Sequence, residues 1–284
     1  MSIKIHVLHT GKVCVSPDLP YGGEDCSPLK ASGIFAKKSE RLWLPVSCYL
    51  IEHPKGLVLV DTGWHRGMSP DGAYDRKAQI ESLGSWALYK VNQGVLPTGE
   101  AVDEQLASMG IRPSDIDLVF LTHLDCDHAN GLKLVASAKR ILVAREELDS
   151  VSRSFVARTR YQSRWWDGTR IECFDWNGEE GPVDKSYDVF GDGSLMCIAI
   201  PGHADGLFAV KVTGAGGRFA LLFSDGGYSR HSWEDMVASG IANDRVQQRR
   251  SLEWIREQSL DARCVESLAN HDPDVKPHVI ELEV

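Results

Sequence analysis

The chain has 284 residues, 43% of them hydrophobic, and carries a formal net charge of -9. The length and composition predict a large hydrophobic core, and no change of composition divides the chain, so we expect a single α/β domain spanning residues 1–284. The negative charge argues against nucleic acid or an anionic membrane surface as a partner.

The seven cysteines are odd in number and contain no CxxC pair. We therefore expect reduced, mostly buried thiols rather than a disulfide framework. Residues 1–11 have the pattern of a short strand and not of a signal peptide, and no apolar run has the length of a transmembrane helix. Together these features predict a cytoplasmic protein.

The first part of the chain predicts strands separated by irregular segments. Residues 3–9 alternate as a strand does, whereas 11–39 is rich in proline, glycine and serine and is expected at the surface. Two further strands, 44–52 and 57–60, flank a four-residue turn and predict a hairpin that leads into Asp61. Asp61 could bind a metal, but a carboxylate in this position more often hydrogen-bonds neighbouring loops or orients a ligand.

The segment 64–98 is less regular and leaves three interpretations open: a lid, a contact in a homodimer, or a surface insertion. A helix at 102–109, closed by Gly110, then returns the chain to a buried strand at 118–121.

Four side chains that can bind metals follow that strand within six positions: His123, Asp125, Asp127 and His128. Crowded at a strand end, these carboxylates and imidazoles would repel or remain unsatisfied unless a cation held them together. The spacing predicts a metal site in which one loop serves two neighbouring ions, the alternative being a polar surface loop with incidental histidines. Cys126 lies in the same loop and is expected to point into the protein rather than bind metal.

The middle of the chain adds a strand at 140–144 and a helix near 146–155. Residues 158–176 mix four arginines with five aromatic side chains. This segment could wall a pocket for an anionic or aromatic substrate, or it could form an amphipathic cover, which is the interpretation we favour. Further on, a helix at 244–258 is expected to present Val246, Leu252, Trp254 and Ile255 along one side.

Three later strands each lead to a potential metal ligand: 195–200 to His203, 219–223 to Asp225, and 264–268 to His271. Any one of these histidines alone would more often be a structural residue. Strands of one sheet system can bring their tips to one edge, so the repetition favours a site shared with the 123–128 loop.

These motifs resemble those of the metallo-β-lactamase superfamily and, within it, the N-acyl homoserine lactonase family of quorum-quenching enzymes. The resemblance is carried by residues spread over most of the chain: 44–50, 60–63, 123–128, 201–203, Asp225 with Tyr228, and His271. It implies a four-layer αββα sandwich with a dinuclear metal site at the edge between its sheets. One ion would be held by His123, Asp125 and His203, the other by Asp127, His128 and His271, with Asp225 bridging and Tyr228 reaching toward the substrate.

One residue departs from the family pattern His-x-His-x-Asp-His, because Asp125 stands where the second histidine belongs. A carboxylate there makes the cluster less positive by one formal charge and hence a weaker Lewis acid. It is also a harder ligand than imidazole, which shifts the preference toward iron or manganese, with zinc still possible. Since aspartate is shorter than histidine, the first site could fill only partly, and we expect one or two divalent ions.

The resemblance implies hydrolysis of a carboxylic ester, above all a lactone such as an N-acyl homoserine lactone, by a metal-bound hydroxide. The ions and Tyr228 would polarise the carbonyl, and Asp127 would transfer the proton. The expected partner is therefore a small ester or lactone. Two alternatives remain: a thioester hydrolase of the glyoxalase II type, and a non-catalytic metal-binding protein whose first site is altered at Asp125.

Overall fold

The computed structural model describes residues 2–153 and 155–284. The described residues form thirteen strands: β1 Ser2–Val15, β2 Leu42–His53, β3 Gly56–Val60, β4 Gln93–Val95, β5 Leu118–Leu121, β6 Arg140–Ala144, β7 Glu172–Phe174, β8 Ser186–Asp188, β9 Leu195–Ala199, β10 Phe208–Thr213, β11 Phe219–Ser224, β12 Cys264–Ala269 and β13 His278–Glu283. They also form ten α-helices, most of them short: α1 Asp18–Tyr21, α2 Pro28–Ser32, α3 Arg76–Leu83, α4 Trp86–Val91, α5 Val102–Ser108, α6 Cys126–Ala129, α7 Arg145–Ser150, α8 Phe155–Arg160, α9 Arg230–Glu234 and α10 Arg245–Leu260.

The strands form two mixed sheets. The first has eight strands in the order β13-β1-β2-β3-β5-β6-β7, with β4 beside β1, and the second has five in the order β12-β11-β10-β9-β8. Parallel pairing joins β3 to β5, β5 to β6, β6 to β7, and β11 to β12. Parallel neighbours deliver their carboxyl ends to the same edge, which is where the predicted ligands lie.

Side chains alternate between the two faces along each strand, and in a central strand such as β5 both faces are largely buried. In β5, Phe120 faces the second sheet and packs edge-on against Phe208 of β10, with ring centroids 6.1 Å apart. Val119 and Leu121 point the other way, into a cluster on the outer face of the first sheet. Because successive side chains of a strand point to opposite faces, one strand contributes to two different apolar clusters.

Helices cover the two outer faces. Trp64 and Leu106 belong to the cluster outside the first sheet, and Leu252 and Ile255 of α10 belong to the cluster outside the second. The helices and sheets therefore stack as the four-layer αββα sandwich that the sequence predicted. Among the described residues, no helix combines the length and apolarity needed to cross a bilayer.

The first strand is longer than predicted and takes up the start of the segment expected at the surface. β1 continues to Val15 and pairs with β2 on both sides of an irregularity between His9 and Lys12. Gly11 makes this possible, because its φ is +79° and a Cβ there would lie 2.2 Å from the carbonyl oxygen of Val95. The glycine that suggested a break in the strand thus marks a bulge.

Residues 64–98 are not a surface insertion. Trp64, Met68, Leu83 and Leu96 are fully buried, and β4 pairs with β1. The large apolar side chains anchor this irregular segment in the core, although their spacing gave no periodic signal. A homodimer contact of this segment remains a prediction.

Two helix predictions need correction. The helix expected near 146–155 ends at Ser150, and residue 154 lies outside the described residues. Val246, expected on the buried side of α10, is 80% exposed. Nine residues, about two and a half turns, separate it from Ile255, so the two side chains lie on opposite faces.

Candidate metal centre

The loop after β5 carries the first set of predicted ligands. It begins where the buried strand ends, and Asp125 is the residue immediately before the short helix α6. His123 and His128 are completely buried, and Asp127 is 8% exposed. Imidazole and carboxylate groups are rarely placed so deep without partners, so this burial indicates a specific function for the loop.

The other three predicted ligands come from the second sheet and are also buried. His203 follows β9, while Asp225 and His271 follow β11 and β12. In the parallel pairing of those two strands, Ser224 lies opposite Ala269, which brings Asp225 next to the segment that holds His271. The edge between the two sheets therefore brings together all seven residues predicted to bind metal.

The side chains form three overlapping groups in which one ligand atom from each residue lies within 4.8 Å of the others: His123 with Asp125 and His203, His123 with His128 and Asp225, and Asp127 with His128 and His271. For clarity we call the group with Asp125 the first group and the group with Asp127 the second group. The predicted division into two neighbouring ligand sets is thus present in the geometry.

Asp225 lies between the two groups. Its Oδ1 atom is 3.3 Å from Nε2 of His128 and 3.2 Å from Nε2 of His271. Its Oδ2 atom is 4.0 Å from Nε2 of His123 and 3.7 Å from Nε2 of His203. Each carboxylate oxygen therefore faces one group, the disposition that a bridging ligand needs.

The spacing in the second group fits a divalent ion. Bonds of about 2.0–2.1 Å in a tetrahedral arrangement place neighbouring ligand atoms roughly 3.3 Å apart. Besides the contacts of Asp225, Nε2 of His271 lies 3.5 Å from Oδ2 of Asp127, and Nε2 of His128 lies 3.9 Å from Oδ1 of Asp127. Small movements would give all of these atoms a common cation.

Hydrogen bonds on the far side of each ring fix which nitrogen faces the site. Nδ1 of His271 donates to the carbonyl of Pro45 at 2.8 Å, and Nδ1 of His203 donates to that of Ile241 at 3.3 Å. Nδ1 of His128 lies 2.9 Å from the Asp61 carboxylate. Since a carbonyl can only accept, Nε2 of His203 and of His271 presents a lone pair to the site when the ring is neutral.

The decisive observation concerns atoms without partners. Nε2 of His123, His128 and His271 and Oδ1 of Asp225 are all buried and make no hydrogen bond with the described residues. Leaving one such atom unsatisfied costs about 1–3 kcal/mol, and here four face one another. A cation would satisfy all four, so the residues fit the divalent metal that the pattern predicts.

The electrostatics of the site also favour positive charge. Burial disfavours a charged His128, yet the carboxylates of Asp225 and Asp61 outweigh it and raise the pKa of that ring well above its ordinary value. Burial likewise works against ionised Asp225, but His271 and His128 outweigh it and hold its pKa well below the usual range. An ion placed here would replace ring protons as the partner of the carboxylate.

Asp61 supports the ligands rather than binding in either group, as the sequence favoured. Its carboxylate accepts hydrogen bonds from the backbone N–H of Thr122, from Asn270 Nδ2 and from His128 Nδ1, at 2.8–2.9 Å. Its φ of +60° is uncommon outside glycine. One buried carboxylate therefore ties together the segments that carry His123, His128 and His271.

Glu147 is a supporting residue that the sequence did not reveal. It is fully buried in α7, and its two oxygens accept the backbone N–H groups of Leu124 and Gly206, each at 3.0 Å. It thereby links the 123–128 loop to the loop after His203. Nothing in its local sequence distinguishes it from neighbouring acidic residues, because both partners are distant along the chain.

The arginine and aromatic segment serves partly as a cover, the interpretation that we favoured, and partly as a wall of the site. Trp165 is buried, and Arg164 binds the carbonyl of Glu81. Arg160 instead forms a two-pronged pair with Asp125, in which Nε and Nη2 each lie 2.5 Å from a carboxylate oxygen. The sequence contained four candidates, and only the fold selects Arg160.

Cys126 does not belong to any of the three ligand groups. It is buried in the apolar cluster outside the first sheet, and its sulfur lies 3.4 Å from Nδ2 of Asn92. All seven cysteines are free, and five of them are buried. These findings agree with the predicted orientation of Cys126 and with reduced thiols.

A cavity of about 610 Å³ opens onto the ligands. We call the part of its lining formed by Asp125, Asp127, His203, Asp225 and Tyr228 the floor. The rest of the lining combines apolar side chains, among them Val13, Val15, Leu19, Ile34, Leu88, Val91 and Ile241, with polar ones that include Arg153, Arg160 and Asp205. Such a cavity has the size of a small-molecule site with an apolar wall and a few convergent polar groups.

Tyr228 forms part of this floor. Its ring stacks on His271 with centroids 5.2 Å apart, and it is 4% exposed. Burial and the carboxylates of Asp225 and Asp127 raise the pKa of its phenol well above the ordinary value. The hydroxyl therefore remains a hydrogen-bond donor near the ligand groups.

Comparison with known proteins agrees with this geometry. A family model described as the metallo-beta-lactamase superfamily matches residues 41–221. The chain is 28% identical over 238 residues to the N-acyl homoserine lactonase AttM of Azorhizobium caulinodans, covering 82% of this chain and 84% of that relative. It is 30% identical over 234 residues to a probable metallo-hydrolase of Mycobacterium tuberculosis, covering 80% of this chain and 71% of that relative.

The fold is similar to that of a solved AiiA mutant from B. thuringiensis with N-decanoyl-L-homoserine bound at its active site. The two structures superpose with a TM-score of 0.72 at 20% sequence identity, covering 95% of this chain and 93% of the other. At this identity the likeness concerns the architecture.

Proposed function

Because the chain belongs to the metallo-β-lactamase superfamily, we propose that it is a metal-dependent hydrolase that opens a lactone of the N-acyl homoserine type by adding water across the ring ester. The observation that carries this proposal is the set of four buried, unpartnered ligand atoms, one of which belongs to Asp225, a residue that also lines the cavity. The sequence similarity to lactonases such as AttM supports the choice of substrate.

The residues proposed as metal ligands are those of the first and second groups together with Asp225: His123, Asp125, Asp127, His128, His203, Asp225 and His271. A divalent ion held there supplies Lewis acidity, which lowers the pKa of water and polarises an ester carbonyl. Zinc, iron and manganese are all compatible with nitrogen and oxygen ligands. Ligands come from both sheets, which supports one hydrolase domain over residues 1–284.

The proposed substrate lies with its acyl chain along the apolar wall and its ring at the floor. Leu19, Leu88 and Val91 line the cavity, as do the candidate ligands Asp125, Asp127, His203 and Asp225. An aliphatic chain buries apolar surface there, worth about 25 cal/mol per Å² removed from water. Arg153 and Arg160 also line the cavity and would suit the carboxylates of a glutathione thioester, so the choice of a lactone over the glyoxalase II alternative rests on the similarity to AttM.

Two residues of the chain are proposed to act on the reacting atoms. Tyr228 donates its hydroxyl proton in a hydrogen bond to the carbonyl oxygen as negative charge develops on it. Asp127 accepts the proton released by the attacking water and returns it to the departing alkoxide, so the ring C–O bond breaks as the hydroxyl group forms. The products are one carboxylic acid and one alcohol in a single molecule, and the acid ionises to a carboxylate by releasing its proton to solvent.

The proposed partner is a small molecule and the proposed location is the cytoplasm, which the seven unpaired cysteines support. The test is a turnover screen of acyl homoserine lactones, simple esters and glutathione thioesters with zinc, iron and manganese supplied separately. We expect lactones with aliphatic acyl chains to give the highest kcat/KM. Faster thioester hydrolysis would favour the glyoxalase II alternative, and no turnover with metal bound would favour a binding protein.

Replacing Tyr228 by phenylalanine should lower kcat for a lactone by about a hundredfold, the loss that follows removal of one donor to a developing oxyanion. Metal content should not change, because the phenol lies outside the ligand groups. The measurement combines steady-state kinetics with elemental analysis. Tyr187→Phe is the matched control, since that ring stacks on Phe174 away from the cavity; an unaltered kcat in Tyr228→Phe would exclude the proposed role.

A further inference from the structure

The Asp125 carboxylate already has a cation as its partner. Both of its oxygens accept hydrogen bonds from Arg160, and only 18% of the Arg160 side chain and 16% of the Asp125 side chain are exposed. Paired, two-pronged contacts of this kind are stronger and more directional than single hydrogen bonds. A guanidinium also stays charged at any pH that the fold tolerates.

Arg160 reaches a second member of the first group as well. Its Nη2 atom is 3.1 Å from Nε2 of His203. Nδ1 of His203 faces the carbonyl of Ile241, so Nε2 accepts from the guanidinium with the lone pair that a metal would use. The third nitrogen, Nη1, is held by the carbonyl of His203 and by Oδ1 of Asn243, at 3.3 and 3.0 Å.

The two ligand groups therefore differ in how many ligand atoms have no hydrogen-bond partner and are free to bind a metal. In the second group, Nε2 of His128 and of His271 has no hydrogen-bond partner, and neither has Oδ1 of Asp225. In the first group, Asp125 and His203 are both engaged by Arg160. Only His123 retains an unpartnered Nε2 atom there, and it also belongs to the group with His128 and Asp225.

A divalent ion in the first group would compete with Arg160 for the same oxygen and nitrogen atoms. It would also lie within a few ångströms of a fixed positive charge, and like charges repel strongly where water is excluded. The aspartate at position 125 explains why an arginine can be there, since a neutral histidine would not compensate the guanidinium. The Asp125–Arg160 pair is electrically neutral without a metal.

We propose that Arg160 takes the place of a metal ion in the first group, so that the chain binds one divalent ion tightly, at the second group with Asp225. This inference rests on the proposed function, because it assumes that the ligand groups bind metal. A second ion binds the first group only when the guanidinium is displaced. With the guanidinium in place, the site is a mononuclear centre in which Arg160 occupies the second cation position.

The test is the number of metal ions bound by the full chain. Wild-type protein is stripped with chelator and titrated with zinc and, separately, with manganese by calorimetry, and elemental analysis gives the ions per chain. We expect one ion per chain for the wild type and two for Arg160→Met. Methionine keeps an aliphatic stem near the Tyr161 ring, over which the guanidinium now lies at 5.1 Å. The affinity of the first group should rise by about ten- to a hundredfold in this variant, because the metal no longer has to displace hydrogen bonds donated by a charged group.

Arg153→Met is the matched control. Arg153 lines the same cavity but pairs with Asp205, outside the ligand groups, and its side chain is 62% exposed. This variant should still bind one ion. If Arg153→Met bound two ions, as Arg160→Met is expected to, the inference would be overturned. Loss of any positive charge in the cavity would then be enough to allow a second ion to bind.

Other outcomes separate this inference from the proposed function. Two ions of similar affinity in the wild type overturn the inference and leave the hydrolase proposal intact, whereas no bound ion overturns both. A single ion in a folded Arg160→Met chain, with a wild-type circular dichroism spectrum, also overturns the inference. If that variant does not fold, the wild-type stoichiometry and Arg160→Gln decide in the same way.

Discussion

Stripping the protein of divalent ions should reduce lactone hydrolysis by at least about a thousandfold. A bound cation contributes several kcal/mol to transition-state stabilisation, and about 1.4 kcal/mol corresponds to a tenfold change in rate. Apart from the ions, Tyr228 and Asp127 are the two residues proposed to act on the reacting atoms, and their contributions are weaker. Turnover is measured after dialysis against chelator, with metal content followed by elemental analysis.

The same dialysis with metal-saturated chelator is the control, because it keeps every other condition constant. Adding zinc, iron or manganese to the stripped protein should restore turnover, and the ion that restores it best identifies the preferred metal. Circular dichroism before and after stripping separates loss of the metal from loss of the fold. Full turnover by a folded chain that elemental analysis shows to be metal-free would contradict the proposed function.

Replacing Asp61 by asparagine should weaken metal binding by about ten- to a hundredfold, although Asp61 is not in any ligand group. The new amide nitrogen is itself a donor. It would face groups that now donate to the carboxylate, among them the backbone N–H of Thr122 and Nδ2 of Asn270. His128 would lose the partner that orients its ring. The unsatisfied buried groups should also lower the free energy of unfolding by about 1–3 kcal/mol.

Chelator competition measures the metal affinity of this variant, and urea unfolding of the metal-free protein measures its stability. Asp117→Asn is the matched control, because Asp117 likewise accepts a backbone N–H, that of Leu57, at 2.8 Å but lies away from the ligand groups. It should lose some stability and no metal affinity. Wild-type affinity in Asp61→Asn would show that the hydrogen bonds of Asp61 do not position the ligands.

The residues of the candidate ligand groups could be picked out from the sequence because their position depends on a local pattern. Apolar runs such as 118–121 and 219–223 mark buried strands, and the residues that follow them are His123, Asp125 and Asp225. Where a strand ends and which side-chain types come next depend on a few adjacent residues. The same is true of the hairpin formed by β2 and β3, which the structure confirms.

Elements whose role depends on distant partners were harder to predict. The segment 11–15 contains a glycine and was expected at the surface, yet it continues β1 because β2 and β4 pair with it. The large apolar residues of 64–98 have no regular spacing, yet they fill the space outside the first sheet. Tertiary contacts outweighed local propensity in both cases.

The sequence by itself determined which metal-binding groups the chain possesses, the strands that deliver them, and the extra negative charge at Asp125. Only the tertiary structure decided which of these groups are left without partners. Hydrogen bonds donated by Arg160 and accepted by Asp61 and Glu147 join residues that lie from 23 to 209 positions apart in the chain. Contacts over such separations depend on how the layers pack, and no local pattern of residues encodes them.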